Sequence, residues 1–269
     1  MVNHFSFHMV GDIGLSQLVM TNLDFHHKKL LFFNNKSYYG KAKRLPVNPA
    51  LYDGGRRFEF QKILEFSEFK KQARIIELGA GYGKYVIPLL FMGYRVTAVD
   101  IGRHLLDAIK VKAKEHHLLG NLRTLQSDFR NKSIPKTYDA AICISTYHLL
   151  AETEEGRFHI FSNLVKSVKI GGSVIIIDPN PLNPFLYLLY LFTPQASWEL
   201  ERHFLKSTVG NLKRIFMKAG LSDITIEYVG FLPLRYINIP GVAMLNRIVN
   251  KTPFLQLFSS FIYIKGKKG

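Results

Sequence analysis

The sequence predicts an α/β fold in which a doubly wound, mostly parallel β-sheet carries helices on both faces. Three observations support this fold class. The 269 residues are 47% hydrophobic, which is enough for one well-buried core. Strand-like and helix-like segments alternate from Ala73 to Asp178, and such alternation requires crossover connections between parallel strands. A glycine-rich turn, Gly79–Gly83, joins the first strand to the first helix, where parallel sheets bind ligands.

Short apolar runs, bounded by turn residues, predict seven strands. Each run holds five to nine residues, and the third is the least apolar. The last run alternates between apolar and polar residues, as a strand with one exposed face does. In chain order the predicted strands are Ala73–Leu78, Tyr94–Asp100, Leu122–Gln126, Tyr138–Ser145, Ser173–Asp178, Asp223–Phe231 and Phe258–Ile264.

Apolar residues at helical spacing predict the helices between the strands. In Glu154–Lys169, for example, Phe161, Leu164 and Val168 fall on one face, and Gly171-Gly172 is expected to end the helix before the fifth strand. The other predicted helices are Tyr82–Tyr94, Arg103–His117 and Thr208–Gly220.

Two segments interrupt the alternation after the fifth strand. Residues 180–207 are rich in proline and aromatic residues, and residues 232–257 hold three prolines around a short helix. We expect both to be helical insertions in a domain of residues 56–269, which an N-terminal cap or lid of residues 1–55 precedes. The first insertion has two interpretations: a lid helix packed on the domain, or an apolar wall for a lipid or prenyl-like acceptor.

The composition excludes several classes of protein. The single cysteine, Cys143, can form neither an internal disulfide nor a cysteine-based metal site, and it indicates a reducing, cytoplasmic environment. No secretory segment is expected at the N-terminus. The longest apolar run, Phe185–Phe192, is well short of the roughly 20 residues that span a bilayer, so no transmembrane segment is expected. Histidine pairs such as His26-His27 lack the carboxylates of a metal site, so no metal is expected either.

The formal net charge of +16 favours an anionic partner. Residues 1–74 carry 12 basic and 6 acidic side chains, residues 75–180 carry 13 and 10, and residues 181–269 carry 11 and 4. The excess of positive charge therefore lies mainly in the two flanks. Peripheral contact with an anionic membrane suits this distribution, and so does an RNA partner.

The segment Glu77-Leu78-Gly79-Ala80-Gly81-Tyr82-Gly83 is the motif that indicates a ligand site. Its glycines allow a sharp turn and a close approach of a ligand to the backbone, and the following helix presents free N–H groups. No G-x-x-x-x-G-K-[ST] string exists, which excludes a P-loop. Lys84 replaces the last glycine of the dinucleotide fingerprint G-x-G-x-x-G. A turn with a purely structural role is the alternative to a cofactor site.

The order acidic-x-G-x-G-x-G resembles the cofactor site of the class I S-adenosylmethionine-dependent methyltransferases. Asp100 lies 21 residues after Gly79, where this family has the carboxylate that binds the ribose hydroxyls. Ser127-Asp128-Phe129 is similar to the adenine contact of the family, although Asp128 by itself is also compatible with a solvated loop carboxylate. The resemblance implies S-adenosylmethionine as the cofactor, the strand order 3-2-1-4-5-7-6 and an antiparallel last strand. The cofactor-binding residues that it implies are Glu77, Gly79, Ala80, Gly81, Gly83, Asp100, Ile101, Asp128, Phe129 and Ser145.

The loop after the fourth strand, Ser145-Thr146-Tyr147-His148, indicates the kind of acceptor. His148 is placed where a hydroxyl acceptor would need a general base, and the alternative is a histidine that only lines the pocket. The loop lacks the N-P-P-[YF] string that enzymes methylating exocyclic adenine or cytosine amines usually carry there, which argues against that one class of nucleic-acid methyltransferase. The expected substrate contacts are Tyr38, Tyr39, Tyr147 and Asn180.

The resemblance and these loops together predict an S-adenosylmethionine-dependent methyltransferase that O-methylates a small or lipid-linked acceptor, with His148 as base. Two alternatives remain. One is an RNA methyltransferase, which the net charge favours. The other is a module that binds S-adenosylmethionine without catalysing a reaction.

Overall fold

The computed structural model describes residues 46–130, 134–191, 198–232 and 239–269, together with Phe25, Lys28 and Lys29. Its centre is a seven-stranded sheet in the order β3-β2-β1-β4-β5-β7-β6. The first five strands pair in parallel, and β7 runs antiparallel to both β5 and β6. The predicted fold class and strand order are confirmed. The strands are β1 (Arg74–Leu78), β2 (Arg95–Asp100), β3 (Leu122–Gln126), β4 (Tyr138–Ile144), β5 (Val168–Pro179), β6 (Leu221–Val229) and β7 (Phe261–Lys268).

Short polar side chains begin several of the helices. Asp53, Thr153 and Thr208 each accept a hydrogen bond from a backbone N–H of the first turn that would otherwise lack a partner. No helix in the described ranges is long and apolar enough to span a bilayer. The α-helices are α1 (Gly54–Ser67), α2 (Val86–Phe91), α3 (Arg103–Glu115), α4 (Glu154–Ser167), α5 (Pro184–Leu191), α6 (Trp198–Glu201), α7 (Val209–Lys218), α8 (Val242–Lys251) and α9 (Pro253–Gln256).

Alternate residues of the central strands supply two apolar layers, one on each face of the sheet. On one face, Ile75 of β1 packs in a cluster with residues of α1, α2 and α3. On the other face, Ile76 packs in a cluster with residues of α4 and α7. Because neighbouring residues of a strand point to opposite faces, the continuous apolar runs in β1, β4 and β5 are explained by burial on both sides.

The structure corrects the predicted role of the Gly171-Gly172 pair. Helix α4 ends at Ser167 rather than at Lys169, and β5 begins directly at Val168. Residues 169–172 form a bulge in β5, between two residues that pair with β4. Gly171 has a φ of +74°, which glycine adopts without steric cost. The glycines therefore shape a bulge within the strand and do not end the helix.

Two further boundaries differ from the prediction. The first helix begins at Val86 instead of Tyr82, because Gly81 and Gly83 have φ values of +52° and +86° that a helix does not allow. Strand β7 spans Phe261–Lys268 instead of Phe258–Ile264.

One edge of the sheet, which we call the carboxyl edge, gathers the C-terminal ends of the parallel strands. Because β7 is antiparallel, its first residue, Phe261, pairs at this edge with Pro179 at the end of β5 and with Val229 at the end of β6. The regions expected to be insertions, residues 180–207 and 232–257, therefore leave the sheet at the carboxyl edge.

Candidate active site

A cavity lies at the carboxyl edge, next to the ends of β1, β2 and β4. It brings together six of the ten residues predicted to bind the cofactor: Gly79, Gly81, Asp100, Ile101, Asp128 and Ser145. Ser127, from the expected adenine contact, and Thr146, from the loop after β4, also line it. The other lining residues, none of which was predicted to bind the cofactor, are Lys29, Leu78, Leu149 and Leu150.

The three glycines of the turn after β1 have different roles. A Cβ at Gly79 would lie 2.2 Å from Cγ2 of Thr146, so only glycine lets this turn contact the loop after β4. A Cβ at Gly83 would lie 2.8 Å from a side-chain carbon of Ile109 on α3. A Cβ at Gly81 would have no other heavy atom within 4 Å. Gly79 and Gly83 therefore allow close packing, whereas Gly81 exposes the backbone to a ligand.

The carboxylate of Asp100 is held at the end of β2. Its Oδ2 accepts a hydrogen bond from the Gly81 N–H at 2.8 Å, and its Oδ1 accepts one from the Gly102 N–H at 2.8 Å. Burial raises the pKa of Asp100, and these N–H groups oppose that shift. Each oxygen keeps a second lone pair, so the carboxylate can still accept hydrogen bonds from a ligand.

Glu77 lies beneath the turn and is fully buried. Burial, and then the nearby Asp100 carboxylate, raise the pKa of Glu77 well above its ordinary value, while Lys84 acts in the opposite direction. Its Oε2 has no hydrogen-bond partner in the described part of the protein. Burial of such an oxygen costs free energy unless it is protonated or accepts a hydrogen bond from a ligand.

The segment after β3 divides between the cavity and the core. Asp128 lines the cavity, and its carboxylate binds the Arg130 guanidinium at 2.8 Å and accepts a bond from the Arg130 N–H at 3.1 Å. Phe129 has a φ of +63°, and its ring is buried in the apolar cluster that contains Leu78. Phe129 was expected to face the adenine ring, but it does not line the cavity, and neither do Glu77, Ala80 or Gly83.

Lys29 is the main cavity residue that sequence reasoning missed. Its ammonium donates to the carbonyl oxygens of Leu149 at 3.0 Å and Leu150 at 3.3 Å. Burial lowers the pKa of Lys29 to about 8, with a further contribution from Arg130, although Asp128 and Asp100 oppose the shift. Residues about 120 positions apart form this contact, and no local pattern in the sequence indicates it.

His148 is buried between two carboxylates. Its Nδ1 lies 2.9 Å from Oδ1 of Asp178, and its Nε2 lies 3.1 Å from Oε2 of Glu201. Oδ2 of Asp178 also accepts a 2.6 Å bond from the Ser207 hydroxyl. Burial by itself would lower the pKa of His148, but the carboxylates outweigh it and raise the pKa to about 10. The ring is therefore protonated at neutral pH, and both of its N–H groups are engaged.

Of the four expected substrate residues, Tyr147 and Asn180 do not line the cavity. The ring of Tyr147 packs edge-on against Phe161 in the core. Asn180 donates to the carbonyl oxygens of Leu257 and Ser259, and so it fastens the start of the first insertion to the chain before β7. Tyr38 and Tyr39 lie outside the described residues. Among the residues that are described, no three His, Cys, Asp or Glu side chains form a group that could hold a metal ion.

The chain is similar to known methyltransferases. A sequence profile for a methyltransferase domain matches residues 75–172. The ubiquinone biosynthesis O-methyltransferase of Rickettsia akari is 28% identical over 150 residues, which cover 55% of this chain and 55% of the relative. The protein with the same name from Rickettsia conorii is 27% identical over 184 residues, which cover 64% of this chain and 61% of the relative. The match therefore spans little more than half the length of these relatives.

The fold also has solved counterparts. A crystal structure of an S-adenosylmethionine-dependent methyltransferase from Archaeoglobus fulgidus superposes with a TM-score of 0.55 at 19% sequence identity. The superposition covers 79% of this chain and 94% of the other. At this identity the likeness is one of fold.

Proposed function

We propose that the chain is a class I S-adenosylmethionine-dependent methyltransferase and that it methylates an oxygen of a small or lipid-linked acceptor. The observation that carries the proposal is the cavity at the carboxyl edge, where the glycine turn, Asp100 and Asp128 meet. The alternatives of an RNA substrate and of binding without turnover become outcomes of the test below.

The residues around the cavity fit S-adenosylmethionine. The Asp100 carboxylate suits the two neighbouring ribose hydroxyls, because each of its oxygens retains an acceptor site. The open space at Gly81 allows the cofactor to approach the backbone, and Ile101 offers an apolar face for the adenine ring. Asp128 is the proposed acceptor for the adenine amine.

The chemistry divides between the cofactor and the chain. S-adenosylmethionine supplies an electrophilic methyl group when it is bound. The chain orients the acceptor oxygen in line with that methyl group and removes water and the hydroxyl proton. The turn after β1 and the loop after β4, which meet at Gly79 and Thr146, fix the geometry on the cofactor side.

His148 remains the proposed general base, with a condition that its contacts impose. The fully buried Asp178 holds Nδ1, an arrangement that orients a ring to accept a proton at Nε2. Glu201 occupies Nε2 in the described state. Acceptance of a substrate proton therefore requires that His148 lose its own proton and that Glu201 move away from Nε2.

Two observations support an oxygen acceptor on an apolar molecule. The relatives in Rickettsia are named O-methyltransferases of ubiquinone biosynthesis, which favours oxygen as the acceptor atom. Exposed apolar side chains such as Leu182 and Leu188 belong to the first insertion, which begins at the carboxyl edge. With a net charge of +7 in residues 181–269, we propose a cytoplasmic enzyme with peripheral contact to an anionic membrane.

The test supplies the protein with S-adenosylmethionine labelled in its methyl group and with lipid extract, polar extract or bulk RNA. We expect labelled product in the lipid extract, identified by mass spectrometry as a methyl ether or ester. Product in the polar extract alone would end the lipid-linked proposal, and labelled RNA would establish the RNA alternative. Cofactor binding without any transfer would indicate a binding module.

The same assay tests His148. The pH–rate profile of His148→Gln should lose an ionisation that the profile of His116→Gln, an exposed histidine at the end of α3, retains. Identical profiles for the two variants would remove His148 as the base.

A further inference from the structure

Helix α8 is amphipathic, but one of its apolar faces is not covered by the domain. Three of its residues face inward and are buried: Val242, Asn246 and Val249. Three apolar residues on another face are exposed: Met244, Leu245 and Ile248. The exposed fraction of Met244 reaches 67%. Single exposed apolar residues are ordinary, but a row of them on one helix face needs a partner.

Exposed apolar side chains are also found just before α8 and on α9. Phe254 and Leu255 on α9 are also exposed, with 70% of Phe254 accessible, and so is Ile239 just before α8. Six large apolar side chains thus reach solvent within residues 239–255. We call Ile239, Met244, Leu245, Ile248, Phe254 and Leu255 the apolar patch.

Positive charge borders the apolar patch. Arg247 and Lys251 are exposed and follow Met244 and Ile248 by three residues, so the basic row lies beside the apolar row on α8. Neither basic side chain has an ion-pair partner in the part of the chain that the structure describes. No acidic residue follows Glu227 in the sequence, whereas six basic residues do.

The apolar patch belongs to the same edge of the sheet as the cavity. The Asn246 side chain accepts hydrogen bonds from the N–H groups of Phe231 at 2.8 Å and Leu232 at 3.0 Å, which fastens α8 beyond the end of β6. Asn183, at the start of α5, donates to the carbonyl oxygens of Phe231 and Phe258, each at 2.7 Å. Both insertions are thereby joined at the carboxyl edge.

We propose that α8 and α9 dock the protein on an anionic lipid bilayer. The apolar patch enters the boundary between headgroups and acyl chains, and Arg247 and Lys251 contact the anionic headgroups, as in helices that lie in a membrane interface. Charge complementarity favours an anionic bilayer as the partner, because the sequence after Glu227 carries six basic residues and no acidic residue. The proposal rests on the proposed function, whose membrane contact it assigns to α8 and α9, and it would bring a lipid-linked acceptor to the edge of the sheet that holds the cavity.

Vesicle sedimentation tests the docking surface with the full chain. Vesicles of phosphatidylcholine with phosphatidylglycerol should bind the protein, and vesicles of phosphatidylcholine alone should bind it much more weakly. The double variant Arg247→Gln/Lys251→Gln should bind about thirtyfold more weakly, since each basic residue near an anionic surface contributes about fivefold. Met244→Ser/Ile248→Ser should weaken binding by about tenfold or more, because the lost apolar area no longer enters the bilayer.

Matched controls lie at the opposite edge of the sheet. Lys70→Gln/Lys71→Gln removes the same charge from two exposed lysines that precede β1, and Met217→Ser removes a methionine that is 61% exposed at the end of α7. Both controls should bind the anionic vesicles like the unsubstituted protein. Equal losses in controls and in α8 variants would show that only general charge or hydrophobicity matters, and would overturn the proposal.

Two other readouts separate the remaining outcomes. Sedimentation without vesicles would reveal self-association that depends on Met244 and Ile248; a dimer together with no vesicle binding would also overturn the proposal. Melting temperature and S-adenosylmethionine affinity, measured without lipid, should be unchanged in every variant. Because cofactor binding and methyl transfer are measured separately, failure of docking and failure of the proposed function give different results.

Discussion

Asp100 accepts two backbone hydrogen bonds at the end of β2, and the turns that donate them hold its carboxylate toward the cavity. The bonds come from Gly81 on one side and Gly102 on the other. The orientation of the side chain is therefore fixed before a ligand arrives, so little conformational entropy is lost when the ligand binds.

Asp100→Ala should weaken S-adenosylmethionine binding by about 1.5–3 kcal/mol, the range for hydrogen bonds to a charged group. Isothermal titration calorimetry measures the change. Asp107→Ala is the control, because Asp107 is an aspartate on α3 that pairs only with exposed residues such as Lys110. Normal affinity in a folded Asp100→Ala protein would place the ribose elsewhere.

Individual residues of the site differ in how far the sequence predicts them. The glycine turn and Asp100 follow from local order, since a turn after β1 and a carboxylate at the end of β2 must meet at one edge of a parallel sheet. Lys29 and Thr146 contact the site through pairings of residues that are far apart in the chain. Phe129 was predicted to face the cavity, but its positive φ directs the ring into the core. Such a backbone conformation is uncommon for a residue other than glycine.

At the scale of elements, the contact between the turn after β1 and the loop after β4 sets the width of the site. Gly79 and Thr146 approach so closely that a single methyl group would force the two loops apart. The loops carry residues from both sides of the cavity. A change in their spacing should therefore affect cofactor binding as well as stability.

Gly79→Ala should destabilise the protein more than Gly93→Ala does. Both glycines have a positive φ, which costs an alanine about 1–2 kcal/mol, but only Gly79 lacks space for a Cβ. Urea unfolding compares the two variants, and titration with S-adenosylmethionine should show weaker binding for Gly79→Ala alone. Equal losses of stability would mean that backbone strain, and not the contact with Thr146, explains this glycine.

The sequence pattern alone could not predict the bulge in β5. A glycine pair after an amphipathic segment is equally compatible with the end of a helix and with a bulge in a strand. The register between β4 and β5 decides between them, and it depends on contacts across the sheet. Periodicity therefore predicted the elements and the family resemblance predicted their order, whereas this boundary required the tertiary structure.

At the scale of the whole molecule, the His148 cluster links three parts of the chain. His148 follows β4, Asp178 lies in β5, and Glu201 and Ser207 belong to the first insertion. The protonated ring neutralises part of the charge of both carboxylates. Loss of its proton should therefore loosen the insertion from the sheet.

The contribution of His148 to stability should fall as the pH rises from about 6.5 to about 10. The folded-state pKa of His148 is raised to about 10, so its contribution is complete below the unfolded value near 6.5 and is lost as the pH approaches 10. The slope from one proton is at most about 1.4 kcal/mol per pH unit. The lowered pKa of Lys29, about 8, has the opposite effect above pH 8.

A variant isolates the histidine. The free energy of unfolding of His148→Gln, measured in urea from pH 6 to pH 9, should depend less on pH than that of the parent or of His116→Gln. Lys29 is common to all three proteins, so its contribution cancels in the comparison. Parallel curves would show that His148 does not hold its proton in the folded state.

Because β7 runs antiparallel to β5 and β6, both insertions begin at the carboxyl edge, where the cavity also lies. The cavity is lined by residues at the ends of β1, β2 and β4 and in the loops that follow β3 and β4, and both later insertions begin at the same edge in the other half of the sheet. Each insertion is tethered there by asparagine side chains, Asn180 and Asn183 in one and Asn246 in the other. We therefore expect that either insertion can be replaced by the corresponding segment of a relative without disturbing the cavity. Transplanting residues 180–207 or 232–257 between relatives, with their asparagine anchors, should transfer acceptor preference while leaving the methyl donor unchanged.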